Sequence, residues 1–160
     1  LVGVTMAEQF LNVKRRKAHI LEVAGKTFDC GFIPAGIEIP LLDEFNAQIY
    51  KQSTYSLPEN FDQLSDDEKM KAQATSAVKY ANENRAQTRA DNIKFVSIFT
   101  SFFDPDYTEE YISKNASGPE VNTAWQALEA TIVEDYFDTV KNLNGGTGGK
   151  KAKASARKKK

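Results

Sequence analysis

The sequence predicts an α+β domain that is predominantly helical, in which a short antiparallel β-hairpin precedes four or so helices. Apolar residues alternate on either side of a turn near the N-terminus, and later segments carry apolar residues at steps of three or four. Strands that all come before the helices are typical of the α+β class. With 160 residues, of which 41% are hydrophobic, the chain has room for one domain. We expect that domain at 18–144, between a flexible basic arm at 1–17 and a disordered Gly-rich linker and basic tail at 145–160.

The hairpin is predicted from the stretch "AHILEVAGKTFDCGFI", which reads as two strands around Ala24-Gly25-Lys26. Three apolar residues precede the turn, and after it three alternate with Thr27, Asp29 and Gly31. Such alternation buries one face of a sheet, and a two-stranded hairpin is marginal alone, so we expect helices to cover that face. The apolar residues are Ile20, Leu21 and Val23 before the turn and Phe28, Cys30 and Phe32 after it.

The first helix is expected to begin at Pro40, after Pro34 and Gly36 have ended the strand. Proline suits the first turn of a helix because its missing N–H has no partner there. The apolar residues of this helix are Leu41, Leu42, Phe45, Ile49 and Tyr50.

A second helical segment is predicted to begin after Ser65, which forms a capping box with Glu68. Residues 66–103 contain neither glycine nor proline, so they predict one very long helix or two helices with a break near 82–92. The second half is dense in large apolar residues. The first half predicts only a thin buried stripe of Met70, Ala74, Ala77, Val78 and Ala81.

Two further helices follow the break at Asp104-Pro105, because proline disfavours helical backbone in the residue before it. "YTEEYISKN" predicts a short one, and Ser117 with Glu120 predicts the start of the last. Asn144-Gly145 is a typical C-terminal stop. The last helix has an amphipathic stripe of Val121, Trp125, Leu128, Ile132, Tyr136, Val140 and Leu143.

The charge is distributed very unevenly along the chain. Seven of the 21 Lys and Arg residues follow Gly149 with no acidic residue among them, so the other 14 stand against 22 acidic residues, a net charge of −8. An acidic body repels a phosphate backbone, whereas a basic tail attracts one. The candidate polyanion-binding residues are therefore Lys150, Lys151, Lys153, Arg157, Lys158, Lys159 and Lys160.

Catalytic and metal-binding patterns are weak in this sequence. His19 and Cys30 are the only histidine and cysteine, too few for a four-ligand zinc site, so we expect a solvated strand residue and a core residue. The carboxylate pairs Asp104/Asp106 and Glu134/Asp135 are interpreted as turn chemistry and as the wet side of a helix. We therefore predict no enzyme activity, no metal and no cofactor.

The glycine run near the C-terminus does not fit a phosphate-binding loop. That loop needs glycine where Asn144 stands and a hydroxyl where Lys151 stands, and it follows a strand rather than a helix. "GGTGG" is interpreted as a flexible linker. No window approaches the roughly 18 apolar residues of a membrane span, so no membrane partner is expected.

The stretch "KAHILEVAGKTFDCGFIPAGIEIPLLDEF", followed by a helical body and a low-complexity tail, resembles the tail assembly chaperones of long-tailed, siphovirus-type bacteriophages. Proteins of that family often begin with a strand–turn–strand of the form V-x-G-K-x-F/Y that leads into a helix. Val23, Gly25, Lys26 and Phe28 fill this pattern. The likeness covers about residues 20–45 in sequence and 18–143 in architecture.

The resemblance implies non-enzymatic work in the cytoplasm of a bacterial host: coating the tape measure protein and helping tail tube subunits to assemble around it. Chaperones of that family are often made in two lengths by ribosomal frameshifting near the end of the shorter product, and the codons of Lys158-Lys159-Lys160 are candidates for such a site. We expect the chain to form homo-oligomers and to bind tape measure helices through apolar grooves. The residues chosen for that role are Phe99, Phe102, Phe103, Trp125 and Ile132. The alternative is a small nucleic-acid-associated protein that binds polyanions through its basic tail.

Overall fold

The computed structural model describes residues 19–137, apart from the side chain of Phe137. It confirms the predicted class, with an antiparallel hairpin first and five α-helices after it within the described residues. The predicted arm, linker and tail lie outside these residues, as do Val140 and Leu143. The elements are β1 (Ile20–Val23), β2 (Lys26–Asp29), α1 (Ala35–Ser53), a 3₁₀ turn (Phe61–Gln63), α2 (Asp66–Glu83), α3 (Arg85–Phe103), α4 (Glu109–Asn115), α5 (Gly118–Ile132) and a π turn (Val133–Phe137).

A two-residue turn closes the hairpin, and both of its residues have a positive φ. Ala24 has φ 49° and Gly25 has φ 76°, values typical of a turn whose twist matches that of the flanking strands. Val23 pairs with Lys26 and Leu21 with Phe28. Leu21, Val23 and Phe28 are buried as the alternation predicts.

The prediction was wrong for the two ends of the hairpin. Ile20 and Phe32 are both more than half exposed. β2 ends at Asp29, so the alternation of a strand no longer decides which way Phe32 points.

Helix α1 begins five residues earlier than predicted. Pro34 is the residue that caps it, and Pro40 lies in the second turn. Proline there removes the N–H that would bond to the Gly36 carbonyl. Both residues are exposed, so water has access to that carbonyl. Leu41 and Phe45 are buried as predicted, together with Ile37 and Gln48, whereas Ile49 and Tyr50 are exposed.

The long helical segment is two helices with a break at Asn84, inside the predicted window. Asn84 has φ −121° and ψ 47°, outside the helical region. The predicted capping box of Ser65 and Glu68 is present. The predicted buried stripe of α2 was wrong: the buried residues are Ser76 and Tyr80.

The core lies where α1, α3 and α5 meet. α2 packs on α1, and β1 packs on α5. The rings of Phe45, Phe95 and Trp125 lie 6.0 to 6.2 Å apart at the centre. The predicted stripe is confirmed as far as Tyr136: Val121, Leu128 and Ile132 are buried, and Trp125 and Tyr136 pack against the core. The buried apolar cluster consists of Leu21, Val23, Phe28, Cys30, Ile33, Ile37, Leu41, Phe45, Ile93, Phe95, Val96, Phe99, Tyr107, Ile112, Val121, Ala124, Leu128 and Ile132.

A buried amide joins the three core helices. Gln48 Nε2 of α1 donates to the backbone carbonyl of Asp91 at 2.7 Å and to Glu44 Oε1 at 3.0 Å. Its Oε1 accepts from Trp125 Nε1 of α5 at 3.1 Å. The Asp91 carboxylate in turn accepts from Lys51 Nζ at 2.6 Å. All polar atoms of the Gln48 amide are therefore used inside the domain.

Candidate interaction surface

The five residues predicted to bind a partner divide into core and surface. Phe99 and Ile132 are fully buried, and Trp125 is half-buried with its N–H bonded to Gln48. Phe99 and Ile132 fill the interior of the domain, and Trp125 packs against this core. Phe102 and Phe103, at the end of α3, are 50% and 45% exposed.

Phe102 and Phe103 form an aromatic pair against the start of α1. Their ring centres lie 5.2 Å apart in an edge-to-face arrangement, and Phe103 packs on buried Phe99 at 5.1 Å. α1 approaches so closely that a methyl group on Gly36 would lie 3.0 Å from Phe102 Cε2. Ile39, three residues along the same helix face and 72% exposed, adds an aliphatic side chain. We refer to Gly36, Ile39, Phe102 and Phe103 as the aromatic surface.

The outer face of α2, made by Met70, Ala74 and Val78, is a second apolar region. Met70 is 61% exposed and Val78 is 63% exposed. A shallow open groove of about 510 Å³ follows this helix past Ala74, Val78 and Asn82. The sequence predicted these residues to be buried. They face outward because α2 contacts α1 through the face that carries Ser76 and Tyr80.

Two features of the sequence could have indicated these surfaces. Ile39 lies between Gly36 and Pro40, which the sequence analysis assigned to the end of a strand and the start of a helix. A helix that began before Pro40 would have placed Ile39 and Gly36 on the same helix face. Between Met70 and Val78, the residue on the same face of the helix is the small Ala74, which is a weak signal for a buried face.

Cys30 and His19 do not form a catalytic pair. Cys30 is fully buried, as predicted, and its Sγ donates to the backbone carbonyl of His19 at 3.2 Å rather than to the ring. Burial raises the pKa of the Cys30 thiol to about 11. The prediction of a solvated strand position was wrong for His19, which precedes β1 and is half-buried with Nε2 3.2 Å from Glu134 Oε2.

The carboxylate pair Asp104/Asp106 organises the turn after α3, as predicted. Asp104 Oδ1 accepts from the backbone N–H of Asp106 at 3.1 Å, and its Oδ2 accepts from Lys26 Nζ at 2.5 Å. The Lys26 hydrogen bond holds the pKa of Asp104 below its ordinary value. Glu134 and Asp135 are half-buried in the π turn rather than on a wet helix face.

Across residues 19–137, no group of three or more His, Cys, Asp and Glu side chains is placed to hold a metal ion. Nor does this part of the chain contain a helix with the length and apolar character needed to cross a membrane. The seven candidate polyanion-binding residues of the tail lie outside it. Comparisons with models of protein families, with curated proteins and with solved structures find no match for this chain.

Proposed function

We propose that this chain is a non-enzymatic tail assembly chaperone of the long-tailed phage type, which self-associates and binds helices of the tape measure protein. The aromatic surface is the observation that carries the proposal. Here large apolar side chains of two core helices reach the solvent together.

The aromatic surface is suited to an amphipathic helix. Phe95 and Phe99 occupy the buried face of α3. Phe102 and Phe103 remain half-exposed after the domain has packed. Full burial of a phenylalanine side chain is worth about 1.5 to 3 kcal/mol. Covering the exposed halves of both rings therefore offers a partner roughly 2 kcal/mol, before any further contacts. Helices commonly bind such surfaces through apolar residues at steps of three and four.

Co-expression with the tape measure protein encoded beside this chain tests the proposal. We expect the wild-type chain to increase the soluble fraction of that protein several-fold. The double substitution Phe102→Ser, Phe103→Ser should abolish the increase, because it removes both exposed rings. Sedimentation of the purified chain would report self-association in the same variants.

The outer face of α2 provides a matched control, since Met70→Ser, Val78→Ser also removes two exposed apolar side chains. This variant should retain chaperone activity. Loss of activity in the α2 variant alone would move the binding site to α2. An unchanged soluble fraction with the wild-type chain would overturn the proposed function.

A second candidate function, binding of a polyanion through the tail, is favoured by the seven positive charges that follow Gly149. Such binding releases counterions and weakens steeply with salt. DNA of mixed sequence should bind the full chain at 50 mM salt and much less at 200 mM. Removal of residues 150–160 should eliminate it, and unchanged binding after removal would exclude this role for the tail.

A further inference from the structure

A small groove lies between the first half of α3 and the beginning of α5. It is a shallow depression of about 230 Å³ that is widely open to solvent. Two guanidinium groups and two side-chain amides reach it from the two helices. Ala81 and Val121 are its apolar lining residues, and the others are Arg85, Thr88, Arg89, Asn92, Gly118 and Asn122.

The ionisable side chains that line the groove are all positively charged. Its ionisable lining residues are Arg85 and Arg89, and neither forms an ion pair within residues 19–137. They stand on one face of α3, four residues apart, so their charges repel each other unless an anion lies between them. This concentration of positive charge occurs on a body whose net charge is negative.

The carboxylates nearest to the groove along the chain are occupied elsewhere. Glu83 accepts from the Tyr55 hydroxyl at 2.8 Å. Asp91 is buried and accepts from Lys51 and Gln87. Glu120 caps its own helix through Ser117 and accepts from the backbone N–H of Ala24. None of the three neutralises the arginines.

The Arg89 guanidinium lies against the backbone of Gly118. A methyl group at Gly118 would overlap Nη2 and Cζ of Arg89. The backbone of Gly118 does not require glycine, since Gly25 is the glycine with positive φ among the described residues. The absent side chain therefore makes room for the guanidinium itself.

We propose that this groove binds a phosphate group, presented either as inorganic phosphate or as the monoester of a small molecule. Guanidinium groups form short, charge-assisted and often bidentate hydrogen bonds to phosphate oxygens. The amides of Asn92 and Asn122 add uncharged donors from both sides. A phosphate group carries about −1.5 to −2 charge at pH 7 and three strong acceptor oxygens, so it can use more of these donors than a carboxylate can. This site goes beyond the proposed chaperone function and does not depend on it.

Titration of the full ¹⁵N-labelled chain with inorganic phosphate at constant ionic strength tests the proposal. We expect saturable shifts of the Gly118 and Asn122 amide signals. Arg89→Gln should weaken the affinity about tenfold, because it removes a charge-assisted contact. Lys71→Gln removes the same charge from the exposed surface of α2 and should leave the affinity unchanged. The basic tail is present in every variant and contributes an equal background.

Gly118→Ala gives a test in which no charge changes. Its methyl group should displace the Arg89 guanidinium and weaken phosphate binding as Arg89→Gln does, while the amide spectrum confirms that the fold is retained. A parallel titration with glycerol phosphate distinguishes the sources, since tighter binding of the ester identifies a small-molecule monoester and equal or weaker binding identifies free phosphate. Shifts that do not saturate, equal shifts with acetate, or wild-type affinity in both variants would overturn the proposal.

Discussion

Replacing Gln48 with leucine measures how much the amide that joins α1, α3 and α5 contributes to stability. The substitution keeps the side-chain size but removes hydrogen bonds to the Asp91 carbonyl, to Glu44 and from Trp125. Three bonds are worth about 1 kcal/mol each, and the indole N–H left without its partner costs about 1 kcal/mol more. Burial of the leucine returns about 2 kcal/mol. We therefore expect Gln48→Leu to lower the free energy of unfolding by about 2 kcal/mol.

Urea unfolding followed by circular dichroism checks this value, provided that the slope with urea is the same for each variant. Gln126→Leu is the matched control: it makes the same change at an exposed position of α5 and should shift stability by less than about 0.5 kcal/mol. A cycle with Trp125→Phe should give a coupling energy of about 1 kcal/mol. The reasoning is refuted if Gln48→Leu is as stable as the wild type or if the two substitutions are additive.

Three further predictions concern single side chains. The Cys30 thiol has a pKa of about 11 against an ordinary value of 9.0, so the folded chain keeps a proton that the unfolded chain releases between these values. Its contribution to stability should be complete below pH 9 and be lost as the pH rises toward 11; Cys30→Ala should show a shallower decline, and parallel curves would contradict the assignment. In thermal melts, Ser65→Ala should lower the free energy of unfolding by about 1 kcal/mol because it removes the cap of α2. Ser113→Ala, on the exposed face of α4, should lower it by less than about 0.5 kcal/mol in the same assay. Gly25→Ala should also cost about 1 kcal/mol, because φ is 76° there; a neutral result in urea would mean that the turn rearranges.

Features that depend on a few neighbouring residues could be predicted from the sequence. The capping boxes of Ser65 and Ser117 formed where each serine precedes a glutamate by three residues. The hairpin turn formed at Gly25, the residue that tolerates positive φ. The strand alternation correctly assigned Leu21 and Phe28 to the core.

Features that depend on distant partners could not be predicted in this way. Ser76 is buried because its hydroxyl bonds to the Gln52 carbonyl and accepts from the Ser56 N–H, 24 and 20 residues away. Apolar periodicity does not register such a residue, so Met70 and Val78 were assigned to the wrong face. Burial of Gln48 likewise depends on two other helices.

The surface was only partly predictable because α3 is apolar around much of its circumference. In "IKFVSIFTSFF", spacing alone does not separate Phe99 from Phe102 and Phe103. The separation comes from the packing of the other elements on α3, which buries Phe99 completely and leaves Phe102 and Phe103 about half exposed. The start of α1 was misplaced for a related reason: proline at the first turn is the commonest arrangement, and this helix tolerates Pro40 one turn later.

The packing of the hairpin on α5 determines when the fold can close during synthesis. The Thr131 hydroxyl donates to the Cys30 carbonyl at 2.6 Å, across 101 residues of sequence. A ribosome adds roughly 5 to 20 residues per second, so the two segments emerge roughly 5 to 20 s apart. Throughout that interval Leu21 and Val23 of β1 lack the helix on which β1 packs. The apolar residues of β1 therefore stay uncovered on the nascent chain for seconds. The domain can finish folding before release from the ribosome only if α5 has already left the exit tunnel.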